Sequence, residues 1–303
     1  MSIVFVHNQK AFLPELEAYQ RFFSARGIEC HAVTPEEVQQ YAARVEWYFM
    51  GTDLSRPKPG VLRIHEYCSA SVAPFRKLKD FFKSFVNTQP DFRIFQNEFV
   101  RQSFYFQDSI PYGFRDMGIP EAWLQPPVEI KKDIDFIYIG QLHDPAQFRG
   151  LIRNLQHALP DSSLLILSRE YHKLAREFST AGNIQFIGPL AHAEVRTYLM
   201  RARYALNWVP DEAPYNQQSS TKLLEYLSCR IPVISNRYPW VTAFEKQSGG
   251  RFFFVNNDWS NVSREAIGQF PYVFPDLSSM TWERQIQQCA ILPVLQKIFP
   301  GLA

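Results

Sequence analysis

At 303 residues the chain has length for about two domains. Its content of 46% hydrophobic and 15% aromatic residues excludes a disordered polypeptide. With 32 basic against 30 acidic residues the net charge is +2, which gives no global case for nucleic acid, and none is expected as a partner.

Cys30, Cys68, Cys229 and Cys289 lie far apart, with no CxxC pair and no zinc spacing. They read as small buried residues of a reducing compartment. The start, MSIVFVHNQK, lacks the features of a signal peptide. No run approaches the ~18 apolar residues of a membrane span. The expected location is cytoplasmic, soluble or at the inner face of the membrane.

In chain order, 3–6 is a short apolar strand. Leu13, Leu16, Tyr19, Phe22 and Phe23 give 13–25 a helical period that stops at Gly27. A strand follows at 29–33. Thr34 as N-cap and Pro35 at the first position predict a helix over 35–42. Strands are expected at 46–50, 61–65 and 92–95, with a helix at 74–86. The stretch 109–134 is rich in proline and turn residues, and Pro126-Pro127 is the best linker candidate. The alternation then restarts, with strands at 135–139, 163–167, 184–187, 204–208, 232–235 and 251–255. Helices are expected at 147–158, 171–178, 193–200, 221–228 and 281–298. This βα alternation predicts α/β folding in two doubly wound, Rossmann-like units with a cleft between them.

The segment 204–235 carries the strongest chemical signal. A strand, YALNWV, leads through a polar loop into SSTK and the helix KLLEYLS. The free N–H groups and positive dipole end of a helix start bind phosphate. Ser219, Ser220 and Thr221 add hydroxyl donors and Lys222 a charge. Glu225, one turn on, is placed to accept from both hydroxyls of a ribose. An N-capped structural helix with an ordinary surface Lys and Glu is the plainer reading of the same residues.

Across about 130–300 the segments resemble, in order, the two-domain GT-B glycosyltransferases, and in the second domain their retaining family 4 type. IYIGQL at 137–142 is similar to that family's strand and Gly-Arg loop, followed by the helix FRGLIRNL. SLLILS at 163–168 is similar to its next strand. NIQFIGPLAHAEVRTYLMRA at 183–202, TKLLEYLSCRIPVIS at 221–235 and TWERQ at 281–285 are similar to its later units. The resemblance implies domains at 1–127 for the acceptor and 128–280 for the nucleotide sugar, facing across a cleft. It also implies a tail at 281–303 crossing back onto the first domain. Donor-binding residues implied are Gly140, Gln141, Gly188, Pro189, Gln217, Gln218, Ser219, Ser220, Thr221 and Glu225.

Two positions depart from the family pattern. Its paired glutamates lie eight positions apart; Glu225 fits the second, but the first is Gln217, with Glu212 in the same loop a candidate to substitute. Gly-Arg is here Gly140-Gln141, and Arg149 stands for the following lysine, so Lys222 and Arg149 are expected to counter the diphosphate.

In the first domain His7 and Asn8 follow the first strand and His65-Glu66 follows VLRI, with Asn97 and Glu98 after RIFQ. His65 or Glu66 is the candidate base for an inverting reaction, or else a satisfied structural pair. His7, Asn8 and Asn97 are acceptor candidates. Arg115-Asp116 reads as a loop salt bridge, the blander alternative to lining the cleft. The helix 74–86 aligns Phe75, Leu78, Phe82 and Phe85 among Arg76, Lys77, Lys79 and Lys83. It reads either as a peripheral-membrane helix meeting anionic lipid or as a stripe packed on the sheet.

The expected function is glycosyl transfer, of a hexosyl or related group, from a nucleoside-diphosphate sugar as co-substrate to a hydroxyl of a glycan or lipid-linked saccharide. The setting is cell-surface polysaccharide or lipopolysaccharide assembly. No metal cofactor is expected, since no DxD pair ends a strand and the histidines are scattered. Other readings are a catalytically degenerate sugar-nucleotide-binding subunit, suggested by Gln217 and Gln141, and an epimerase or phosphorylase of the same architecture. A nicotinamide oxidoreductase is disfavoured, because no GxGxxG follows a strand.

Overall fold

A computed structural model describes residues 2–9, 13–125, 130–142 and 145–302. The chain divides into two compact units, Met1–Pro120 with Ser279–Ala303, and Glu121–Ser278. Pro126 and Pro127 lie outside the described residues.

The first unit contains β1 (Ser2–Val6), α1 (Pro14–Ser24), β2 (Glu29–Val33), β3 (Val45–Phe49), β4 (Leu62–Tyr67), α2 (Arg76–Val86), β5 (Phe92–Phe95), α3 (Glu98–Ser103) and β6 (Tyr112–Phe114). Its six strands are parallel in the order β2-β1-β3-β4-β5-β6. The second unit contains β7 (Ile134–Ile139), α4 (Pro145–Ala158), β8 (Leu164–Leu167), α5 (His172–Glu177), β9 (Ile184–Ile187), α6 (His192–Arg201), β10 (Ala202–Asn207), α7 (Thr221–Ser228), β11 (Val233–Ser235), α8 (Pro239–Ser248), β12 (Phe253–Phe254) and α9 (Arg264–Gln269). Its sheet is also six-stranded and parallel, in the order β12-β11-β10-β7-β8-β9. Two further helices, α10 (Trp282–Gln288) and α11 (Leu292–Gln296), return to the first unit.

Parallel strands covered on both faces read as continuous apolar runs, and the described core strands obey this. IDFIYI of β7 and LLIL of β8 are almost wholly buried. In the first unit Ile3, Phe5, Trp47, Ile64 and Ile94 form one face of the sheet. Tyr19 and Phe23 of α1 and Trp282, Ile286 and Leu295 of the returning helices pack on it. Tyr19 and Trp47 meet with ring centroids 4.5 Å apart.

Some elements differ from the sequence reading. The helix expected over 35–42 is reduced to one turn, Val38–Gln40, because Val38 is the one residue of that turn that reaches the core. The single helix expected over 281–298 is two, α10 and α11. Pro293 has no N–H to give the carbonyl of Cys289 and its ring would clash there, so the chain bends at 289–291. The strand at 251–255 shrinks to Phe253–Phe254. The proline-rich stretch 109–134 includes β6 and the start of β7. Helix α8 escaped the periodicity reading, although Pro239 opens it and Gly249, at φ +71, closes it.

The returning segment is sewn to the first unit by backbone. The Ile119 N–H donates to Met280 O, and the Trp282 N–H to Ile119 O, each at 3.0 Å. A side chain at Gly118 would sit 2.9 Å from Trp282. Trp282→Ala is expected to lower the stability of this unit by about 3–5 kcal/mol. Chemical denaturation followed by the near-ultraviolet signal measures it.

Candidate functional site

The second unit's sheet reverses its strand order between β7 and β10. The chain leaves β7 toward β8 and leaves β10 toward β11, in opposite directions. A crevice opens at the carboxyl ends of strands at such a point. Pairing between the two ends at Ala205 with Ile137, while β7 runs on to Ile139 and β10 to Asn207. The backbone groups facing this gap are met by Tyr226, fully buried on α7. Its hydroxyl accepts from the Ile139 N–H at 2.9 Å and donates to Leu206 O at 3.3 Å.

Helix α7 starts beside the gap. Ser220 caps it, accepting from the Leu223 N–H at 3.3 Å and donating to Asn207 Oδ1 at 2.9 Å. Asn207 Nδ2 donates in turn to Ser235 Oγ at 2.9 Å and Tyr238 Oη at 3.0 Å, joining the ends of β10 and β11. The Ser219 hydroxyl is buried with no hydrogen-bond partner among the described residues. Lys222 Nζ donates to Trp208 O at 2.8 Å and Tyr138 Oη at 3.1 Å, and Tyr138 Oη donates to Gln141 O at 2.8 Å. Burial pushes the Lys222 ammonium down to about 7, with Glu225 opposing the shift. Gly140 ends β7 at φ +123, a backbone conformation side chains rarely adopt.

These contacts tie Gly140-Gln141, Ser220, Lys222 and the end of β10 to one crevice edge. Gly188 follows β9 at φ +153, where a Cβ would collide with Ser168 O, so only glycine fits. It leads into Pro189. Gln217 closes a single turn, Tyr215–Gln217, and its N–H donates to Pro214 O at 3.1 Å; Gln217 and Gln218 are half-buried.

Glu225 is buried on α7, and its Oε1 lies 2.5 Å from His192 Nε2 at the start of α6. Trp123 stacks on the His192 ring, with centroids 5.0 Å apart at 15°. Arg196 Nη1 donates to Ala122 O at 3.0 Å, holding the turn that carries Trp123. His192 was not foreseen, because its partner lies far along the chain and no local pattern marks the pair. Tyr226, Tyr138 and Asn207 were missed too, read as ordinary core and strand positions. Arg149 is placed elsewhere, on an outer face of α4. Its Nε donates to both oxygens of Glu177, at 2.6 and 2.8 Å, and Arg153 shares that carboxylate.

In the first unit, His65 and Glu66 lie inside β4 rather than beyond its end, and both are fully buried. The strand reading stopped at these polar residues, but a strand interior carries such groups when they are paired. His65 Nε2 sits 2.9 Å from Asp53 Oδ2, which also accepts from Arg63 at 3.0 Å. Burial lowers the His65 pKa. Glu66, on the opposite face, accepts from Trp47 Nε1 at 2.7 Å and from Arg115, which also pairs with Glu15 at 3.5 Å. Burial raises the Glu66 pKa. This placement holds both side chains in internal networks, with His65 Nδ1 buried and without a hydrogen-bond partner among the described residues. Asn97 caps α3, accepting from the Val100 N–H at 3.0 Å. Asn8 is exposed after β1, and a Cβ at Gly51 would lie 3.9 Å from its Nδ2. Neighbouring His7 has a buried Nδ1 without a partner among the described residues. His7, Asn8 and Gly51 thus mark the carboxyl ends of β1 and β3, where this sheet's strand order also reverses.

The model of a family described as glycosyl transferase-like matches residues 146–258. In structure the chain is similar to AviGT4, a glycosyltransferase involved in avilamycin A biosynthesis, at 13% identity and a TM-score of 0.58, covering 100% of this chain and 97% of that one. It is similar to Alr3699/HepE of Anabaena, solved in complex with UDP and glucose, at 10% identity and a TM-score of 0.63, covering 100% and 99%. It is also similar to WaaG, a glycosyltransferase involved in lipopolysaccharide biosynthesis, at 12% identity and a TM-score of 0.61, covering 93% of each. No curated protein matches the sequence. The chain has the GT-B fold of the glycosyltransferases, α/β with two six-stranded parallel sheets, and the stretch that matches the family carries α7 and its surrounding loops.

Tyr226→Phe removes the hydroxyl that satisfies both strands and is expected to destabilise the second unit by about 1–3 kcal/mol. Amide exchange should show it most at Ile139, whose N–H loses its acceptor.

Proposed function

We propose that this chain transfers a sugar, hexosyl or related, from a nucleoside-diphosphate sugar to a hydroxyl of a glycan or lipid-linked saccharide of the cell surface. The observation that carries the reading is the start of α7. A helix N-terminus, the unpartnered Ser219 hydroxyl and the Lys222 ammonium converge at the carboxyl edge where β7 and β10 part. That set complements a diphosphate, and most of all a departing one. When the bond from the anomeric carbon to the phosphate oxygen breaks, the electron pair stays on that oxygen. Lys222 and the helix N-terminus then meet the new charge. Glu225 takes the ribose hydroxyls of the donor, displacing the hydrogen bond it shares with His192. Gly140-Gln141 and Gly188-Pro189 bring backbone close to the nucleotide.

Because His65 and Glu66 are bound within the sheet, the proposed course is the retaining one, in which the departing phosphate receives the acceptor's proton. The same reading assigns charge neutralisation to Lys222 and the helix start, with no metal cofactor. Transfer is then expected to proceed unchanged in a chelator.

Lys222→Ala and Glu225→Ala are each expected to weaken nucleoside-diphosphate binding by about 10- to 100-fold in calorimetry, the loss of one charge-assisted contact. Undiminished binding in both would sink the donor-site assignment. Hydrolysis of the bound sugar nucleotide, even slow, separates an enzyme from a binding subunit.

Lys222 is charged below its pKa of about 7 and neutral above it. Nucleoside-diphosphate affinity is therefore expected to fall about tenfold between pH 6 and pH 8. Lys222→Arg, charged throughout, should flatten that profile.

A further inference from the structure

Helix α2 is amphipathic in the wrong sense for a helix that packs on a sheet. Phe75, Leu78, Phe82 and Phe85 recur on one stripe, and these apolar side chains face outward. They are 75%, 64%, 63% and 60% exposed, and Phe81 beside them is 47% exposed. Asp80 is the only residue of α2 that the fold buries. Its Oδ1 accepts the Ser71 N–H at 2.9 Å, so the helix is held to the unit by a polar contact. A globular helix ordinarily turns its apolar stripe to the core. Leu54 and Val72, in other loops of the same unit, are exposed as well, at 71% and 41%. Phe81 packs on Phe85 at 4.9 Å and edge-on to Tyr105 at 5.3 Å, extending the patch to a neighbouring loop.

The exposed charges that α2 itself carries around this stripe are of one sign. Arg76, Lys77, Lys79 and Lys83 flank it. The one acid of the helix, Asp80, is turned inward, so α2 presents cations and no carboxylate to solvent. Lys79 and Lys83 lean back on Val72 O and Ser71 Oγ, at 3.1 and 3.0 Å, which leaves the aromatic rings foremost. Exposed aromatic and leucine side chains ringed by Lys and Arg match a bilayer interface. The rings enter the boundary between headgroups and acyl chains, and the cations stay at the level of anionic headgroups.

We infer that α2 seats the first unit on an anionic membrane surface, with Phe75, Leu78, Phe81, Phe82 and Phe85 inserted and Arg76, Lys77 and Lys79 against the headgroups. The occupant is a lipid surface because an apolar patch this exposed needs an apolar phase, and a one-sign rim needs an opposite charge. A second copy of the chain would bring like charges face to face. Among the described residues no helix is long and apolar enough to cross a membrane, so α2 lies on the surface. This inference does not depend on the donor site.

The test is flotation of the full chain with two kinds of vesicle, phosphatidylglycerol mixed with phosphatidylcholine, and phosphatidylcholine alone. The chain should bind the mixed vesicles at least about tenfold better. Lys77→Glu/Lys79→Glu should lower that binding by roughly 30-fold. Phe82→Ser/Phe85→Ser should abolish it. All these side chains are exposed, so the melting temperature and nucleotide affinity of the variants should match the parent, which distinguishes lost docking from lost folding. Equal binding to both vesicle types, or none to either, overturns the inference. So does concentration-dependent self-association by sedimentation velocity that Phe82→Ser/Phe85→Ser removes while lipid binding is absent.

Discussion

Where β7 and β10 separate, each strand exposes backbone groups that water does not reach, and a single hydroxyl answers both. Tyr226 accepts from the Ile139 N–H and donates to Leu206 O. Buried backbone groups left without partners cost about as much as lost hydrogen bonds, so the two strands can part only where something stands between them. Tyr226 stands there because Leu223, Leu224 and Leu227 bury the same helix against the sheet. The reversal of strand order opens the crevice, and this wedge satisfies the backbone groups where the two strands part.

The helix that fills the gap also arms it. Its apolar residues face the sheet, and its first turn, with Ser219, Ser220 and Lys222, meets the edge of the crevice. Ser220 is spent on capping and on Asn207, which leaves Ser219 and the orphan N–H groups of the helix start for a ligand. Lys222 is held by Tyr138 Oη and Trp208 O, two acceptors that carry no charge. An ammonium so placed is desolvated without being neutralised, which is why it titrates near neutrality and why an arriving anion would be its strongest partner.

The first unit puts its charge to a different use. Arg63, Asp53, His65 and Glu46 on one face of β4, and Glu66, Arg115 and Glu15 on the other, are all inside the fold. Buried ions persist only when their partners are in place, so these networks require the strands and loops that supply them to be in register. The aromatic surface lies outside this scheme, on a helix that gives the core nothing but a carboxylate.

Much was legible in the sequence because it depends on local pattern. Continuous apolar runs marked β7 and β8, the period of Leu13 to Phe23 marked α1, and SSTK before an apolar helix marked the start of α7. The stripe of α2 was legible as well, but not its direction, since periodicity reports that a face exists and not what it faces. Glu225 stood out in the sequence as a candidate while its partner His192 did not, because a contact between residues remote in sequence leaves no local trace. His65 and Glu66 looked like strand-end ligands because polarity alone seemed to end the strand. Asp53 and Arg115, brought in from other loops, let the strand run through them. The sequence by itself determined most of the elements, their α/β order and the capped start of α7. Tertiary structure alone decided which charges are sealed in, which apolar stripe is left out and where the strands part, because each depends on partners supplied from distant segments.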